Sequence, residues 1–219
     1  GRGVNKDPHE AAKLYKAAYA GIKAGNSAAK VAIGETSARG RDKPLKGVSD
    51  SVAPATFARL LAQQKGLKFD AWAHHPYPTA PNLPPLQKVA YPNVTLSQFK
   101  KFEADLKRYF HRTVPIWITE YGHETKPGEP HGVTLAKQAA YAKQALTIAR
   151  NDQDVQMFIW FTFRDSSSNP WQSGIELPSG APKPAYATFG ALARLTDGVA
   201  QTSKAGTHPN LNVYVPALA

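Results

Sequence analysis

The chain has 219 residues, 42% hydrophobic and 20% charged, as in an ordinary soluble globular protein with a sizeable core. It holds no cysteine, which excludes disulfides and thiolate metal sites, and no apolar run approaches the roughly 18 residues of a membrane span. The net charge is +11, from 27 Lys+Arg against 16 Asp+Glu, but the basic residues (Lys13, Lys16, Lys23; Lys100, Lys101, Lys107, Arg108) are scattered along helix surfaces without a dense run. That spread reads as solvated helix faces rather than a nucleic-acid surface, and it leaves an acidic polysaccharide or anionic cell wall compatible.

The chain opens on Gly1 rather than methionine, which predicts a processed or engineered end. Residues 10–23 place Leu14, Ala18 and Ile22 on one helical stripe, and Gly25-Asn26 follow as a stop signal. A short apolar strand, KVAIG, ends at Glu35, and a loop leads to a second helix closed by Gly66. FDAWAHHPYP reads as a strand entering a proline-rich loop. SQFKKFEADLKRYF is an amphipathic helix with Phe99, Phe102, Leu106 and Tyr109 on one side. The strand VPIWIT, the helix TLAKQAAYAKQALTIAR and the strand VQMFIWFTF follow, and a last helix covers PAYATFGALARLT. Residues 197–219 show no periodicity and are expected to be a tail or a packed extended segment. One helix followed by four strand–helix units predicts an α/β fold with a parallel sheet.

In such folds the functional groups lie beyond the C-terminal strand ends. Those ends carry Glu35, then His74-His75-Pro76-Tyr77, then Glu120-Tyr121, then Trp160 with Arg164-Asp165, and the loop after the fourth strand adds Asn169-Pro170-Trp171. Carboxylates, imidazoles and aromatic rings therefore gather on one rim. Sugar chemistry fits this inventory: glycosidases work with paired carboxylates, aromatic faces suit the C–H faces of sugars, and His75, Tyr77 and Arg164 are available to hold an ionised glutamate.

HHPYP, WITEYG and FIWFTFRD together resemble the retaining (β/α)8-barrel glycoside hydrolases, particularly the cellulase-like and xylosidase-like members, over roughly residues 10–195. The resemblance implies that Glu120 is the nucleophile ending strand seven and that His75-Pro76-Tyr77 matches the strand-six H-x-Y. It implies that Trp160 lines the subsite of the cleaved sugar on strand eight. Tyr121, Arg164, Trp171 and Glu35 are further substrate-binding candidates. The same likeness implies a carbohydrate substrate and a secreted or extracellular protein; no cofactor or metal is expected, and the scattered charge and the lack of a long apolar run predict no nucleic-acid or membrane partner.

One element of that family's pattern is missing. Its acid/base is a glutamate in an Asn-Glu-Pro segment closing strand four, and this chain has no Asn-Glu dipeptide. A closed barrel takes about 250 residues. The chain is therefore expected to be a half-barrel, strands five to eight over residues 1–196, with an N-terminal half absent. Glu35 is a poor substitute acid, because strands two apart place backbones roughly 10 Å apart while retaining carboxyls sit about 5–5.5 Å apart.

Two rival readings remain. A metal hydrolase could draw on His74, His75, Glu120, His123, Glu124 and His131, but adjacent His74 and His75 point to opposite faces of a strand, and no H-E-x-x-H occurs. A non-catalytic half-barrel would bind sugar, form a homodimer, or associate with its missing half, since unclosed strands leave open edges. Asn93-Val94-Thr95 also satisfies the glycosylation sequon.

Overall fold

A computed structural model describes residues 7–43, 45–47, 51–169 and 171–194, with the backbone of 212–214. Five helices, α1 (Pro8–Gly25), α2 (Pro54–Ala62), α3 (Phe99–Phe110), α4 (Leu135–Arg150) and α5 (Pro184–Arg194), alternate with five strands: β1 (Ala32–Ser37), β2 (Ala71–His75), β3 (Ile116–Tyr121), β4 (Val155–Trp160) and β5 (Asn212–Tyr214). The strands form one parallel sheet in chain order. Right-handed crossovers between successive neighbours carry the helices to a single face.

That face holds the core. Trp72 of β2 packs against Phe57 of α2 and Phe102 of α3, Trp160 of β4 against Phe189 of α5, and Ile116 and Ile118 of β3 are fully buried. The predicted stripe of α3 is where it should be, with Phe99, Phe102 and Leu106 buried. The opposite face is less closely packed: Trp117 of β3 and Met157 and Ile159 of β4 are only half-buried. Side chains alternate along a strand, so the same apolar run feeds a packed face and a partly open one.

The stripe predicted for α1 is not its buried face. Ala11 and Ala12 are buried and Tyr15 reaches the Gly34 carbonyl of β1, whereas Leu14 is 54% and Ile22 42% exposed. The tail also contributes a strand: within residues 197–219, of which only 212–214 are described, β5 pairs with β4 and covers an edge expected to lie bare. Residues 195–196 of the last predicted helix lie outside the described residues. In the sequon, Thr95 is fully buried and its hydroxyl is engaged at the start of a 3₁₀ turn, Leu96–Gln98, so the folded segment does not present it.

Candidate active site

Two irregularities in the sheet build the rim. Between Ile33 and Thr36, β1 carries one residue more than β2 opposite it, with Gly34 at φ 104° and Glu35 at φ 46°. Gly34 is required there, since a Cβ would meet the Trp72 indole at 2.6 Å, and the bulge re-aims Glu35. Between Ile118 and Tyr121, β3 likewise carries one residue more than β4, so the consecutive Thr119 and Glu120 can both serve the rim.

His75, on the strand between them, joins the two carboxylates. Its Nε2 lies 2.6 Å from Glu35 Oε1, and its Nδ1 faces Glu120 Oε2 at 3.5 Å. A carboxylate only accepts, so Nε2 carries the proton toward Glu35, and Nδ1 donates to Glu120 when the ring holds its second proton. The Thr119 hydroxyl donates to the same Glu35 oxygen at 2.9 Å. Burial works to raise the Glu35 carboxyl, but the His75 hydrogen bond and charge and the Thr119 donor outweigh it and hold it below the usual range. Tyr77 donates its hydroxyl to Glu120 Oε2 at 3.3 Å. Burial and the Glu120 charge push that phenol well above its ordinary value, so it stays a donor.

The structure thus brings Glu35, His75, Tyr77 and Glu120 together, and it places Trp171 edge-on to the Tyr77 ring at 5.5 Å. Three other predicted site residues lie elsewhere. Trp160 is fully buried, with its indole N–H donating to the Ser173 carbonyl at 2.9 Å; it faces the helices, not a pocket. Tyr121 is also fully buried, and it supports the site from below by stacking on Tyr77. The Arg164 guanidinium is held by Glu176 at 2.7 and 2.8 Å, leaving no carboxylate of the rim as its partner. The aromatic ring next to Trp171 is that of Phe161, the residue just past β4, half-buried and 6.2 Å from it. Strict alternation from Trp160 would have found it.

Next to this cluster runs a cleft of about 630 Å³ that shares Tyr77 and Trp171 with it and extends to Arg39, Arg41, Asn93 and Glu124. Glu120 itself lies outside the cleft lining. Below, a buried network fixes the loops: Lys183 Nζ meets Asp165 at 2.6 Å and Thr125 Oγ1 at 2.8 Å, and Gln138 of α4 donates to the carbonyls of His123, Ser173 and Gly174.

The histidines of the metal reading have other partners. Thr36 donates to His74 Nδ1 and His74 Nε2 donates to the Val94 carbonyl; Tyr121 donates to His123 Nε2 and His123 Nδ1 donates to the Pro81 carbonyl. Burial lowers both rings to about 4, so both are neutral. Among the described residues no group of three or more His or acidic side chains is placed to hold a metal ion.

Comparison with known proteins agrees with the fold. No curated protein sequence matches the chain. Its strand–helix arrangement is that of (β/α)8 glycoside hydrolases. A family 39 glycoside hydrolase of Bacteroides cellulosilyticus superposes with TM-score 0.63 at 20% identity, over 90% of this chain and 40% of that one. A family 39 β-xylosidase of Caulobacter crescentus gives 0.56 at 17%, over 86% and 38%, and a family 39 enzyme of Xanthomonas axonopodis pv. citri gives 0.54 at 19%, over 87% and 37%. The chain therefore spans two fifths or less of these structures, and such identities speak for the fold alone. The sequence profile of the glycosyl hydrolase catalytic core matches residues 1–184, and the chain belongs to that family.

Proposed function

We propose that this chain carries the nucleophile half of a retaining β-glycosidase acting on a glucan- or xylan-type carbohydrate outside the cell, with Glu120 as nucleophile. The observation that carries the reading is the Glu120 carboxylate at the end of β3, faced by the Tyr77 hydroxyl and the His75 ring. In the first step a Glu120 oxygen attacks the anomeric carbon, the bond to the leaving oxygen breaks, and a glycosyl ester forms. In the second, water attacks that carbon, the ester bond breaks and Glu120 leaves as carboxylate, with net retention. Protonating a poor leaving group and deprotonating the water need a second carboxyl, which this proposal places on an N-terminal half outside residues 1–219.

Glu35 is not that acid in this reading: the His75 ring stands between it and Glu120, and its carboxyl is held ionised. Azide rescue tests the assignment. With a dinitrophenyl β-glycoside, Glu120→Gly loses turnover and azide restores it, yielding an α-glycosyl azide because the anion enters from the face the carboxylate left. Failure of rescue across gluco- and xylo-configured substrates, with wild type active, contradicts it.

A second reading has its own support. The α1 stripe with Leu14 and Ile22 is exposed, as is part of the inner sheet face, so a non-catalytic half-barrel would pair with its other half or with a second copy. A monomer in light scattering across a wide concentration range argues against self-association.

A further inference from the structure

We infer that Thr119 and Glu35 are positioning residues for the nucleophile, acting on Glu120 through the His75 ring. This rests on the nucleophile reading above and extends it to two side chains that make no hydrogen bond to Glu120 themselves.

The contacts run in one direction. The Thr119 hydroxyl donates to Glu35 Oε1 at 2.9 Å, and His75 Nε2 lies 2.6 Å from the same oxygen. Two donors on one oxygen hold the carboxylate in place. The carboxylate in turn holds the ring, because it only accepts and so claims the proton on Nε2. The other ring nitrogen, Nδ1, is thereby aimed at Glu120 Oε2, 3.5 Å away. Tyr77 donates to that same Oε2. Both neighbours of the nucleophile therefore fall on one oxygen, and Oε1 is left for the attack.

The backbone is distorted where this arrangement needs it. Glu35 sits at φ 46° directly after Gly34 at φ 104°, a left-handed conformation that residues with a Cβ rarely adopt. Packing gives no return for it, since the Glu35 side chain is 57% exposed. Strain kept at a polar side chain whose aim depends on it points to function. The irregularity in β3 between Ile118 and Tyr121 supplies the other half, since it lets consecutive residues reach the rim: Thr119 holds Glu35 while Glu120 meets His75. Burial works to raise the Glu35 carboxyl, and the His75 and Thr119 donors outweigh it, so Glu35 remains an acceptor and a counter-charge for the ring.

Long-range ¹H–¹⁵N correlation spectra of the His75 imidazole test this in the free protein, at a pH where the ring holds one proton. Wild type is expected to carry that proton on Nε2. In Glu35→Asn, which tolerates the left-handed backbone but is one methylene too short to reach the ring, it should move to Nδ1, and in Glu35→Gln it should stay. With a dinitrophenyl β-glycoside, Glu35→Asn is expected to lose about tenfold in kcat at unchanged KM, most of it recovered in Glu35→Gln. Thr119→Val should lose about threefold in kcat, and Thr119→Ser should restore it. A raised KM at unchanged kcat in Glu35→Asn makes Glu35 a sugar ligand and overturns the inference. A wild-type proton on Nδ1, or no change of tautomer in Glu35→Asn, overturns it whether or not the chain turns over glycoside. The expected tautomers in a wild type without turnover support the hold of Glu35 on His75 and overturn the nucleophile reading alone.

Discussion

Two polar clusters, which approach each other in sequence only at Glu120 and Thr125, behave oppositely. The first, Glu35–His75–Glu120–Tyr77, is partly open, with the Glu120 side chain 36% and the Glu35 side chain 57% exposed. Its groups converge on one carboxylate and leave room beside it. The second, Lys183–Asp165–Thr125, is closed: the Lys183 side chain is 0% and that of Asp165 4% exposed, and each group is answered by another. Polar groups that satisfy one another in the core are architecture, and polar groups that converge where a ligand can reach are chemistry. His74 and His75 show the same division in adjacent residues, because a strand sends them to opposite faces.

Six substitutions and one titration can break that contrast or sharpen it. The largest effect is expected from Glu120→Gln: turnover of an activated aryl glycoside falls on the order of 10⁴-fold, with the unfolding midpoint unchanged. Survival of turnover would move the chemistry elsewhere. Lys183→Met should do the reverse, leaving Asp165 buried without its cation and lowering urea stability by about 3–5 kcal/mol; an unperturbed midpoint would show that the pair is not the clamp described here.

The neutral histidines set a pH dependence. Burial depresses His74 and His123 to about 4 from about 6.5 in the unfolded chain. A depressed folded value means that the unfolded state takes up the protons first as pH falls. Stability is therefore fully present above about pH 6.5, declines between there and about pH 4 by on the order of 3 kcal/mol per ring, and then levels off. Urea midpoints across that range check it, and His123→Gln should remove part of the slope.

Tyr77→Phe deletes one donor to a charged oxygen and should lower turnover by about tenfold to a hundredfold. Glu35→Gln keeps a hydrogen-bond acceptor for His75 and should lower turnover less, to the same extent for good and poor leaving groups. A loss confined to poor leaving groups would instead make Glu35 the acid. Arg164→Gln removes the cation from the largely buried Glu176 carboxylate and should lower stability by about 1–3 kcal/mol.

Much of this was legible in the residues. Strand–helix alternation gave the parallel sheet, and the strand ends gave Glu120, His75 and Tyr77, because burial on one side and chemistry at the tips both leave composition signals. Trp160 misled because a large aromatic at a strand end fits a core as well as a subsite. The role of Glu35 was hidden because a bulge changes its facing beyond the reach of simple periodicity: its aim depends on the left-handed backbone at residues 34–35. The α1 stripe misled because several faces of an alanine-rich helix carry apolar residues, and packing chose Ala11, Ala12 and Tyr15 over Leu14 and Ile22.

The most direct test of Glu120 as nucleophile is intact mass after incubation with a 2-fluoro glycoside carrying a dinitrophenyl leaving group, which departs without an acid. The account predicts a mass gain of one fluoroglycosyl unit, mapped by peptide sequencing to Glu120 and absent in Glu120→Gln. No adduct in folded protein across gluco- and xylo-configured reagents, or an adduct at another carboxylate, would contradict it.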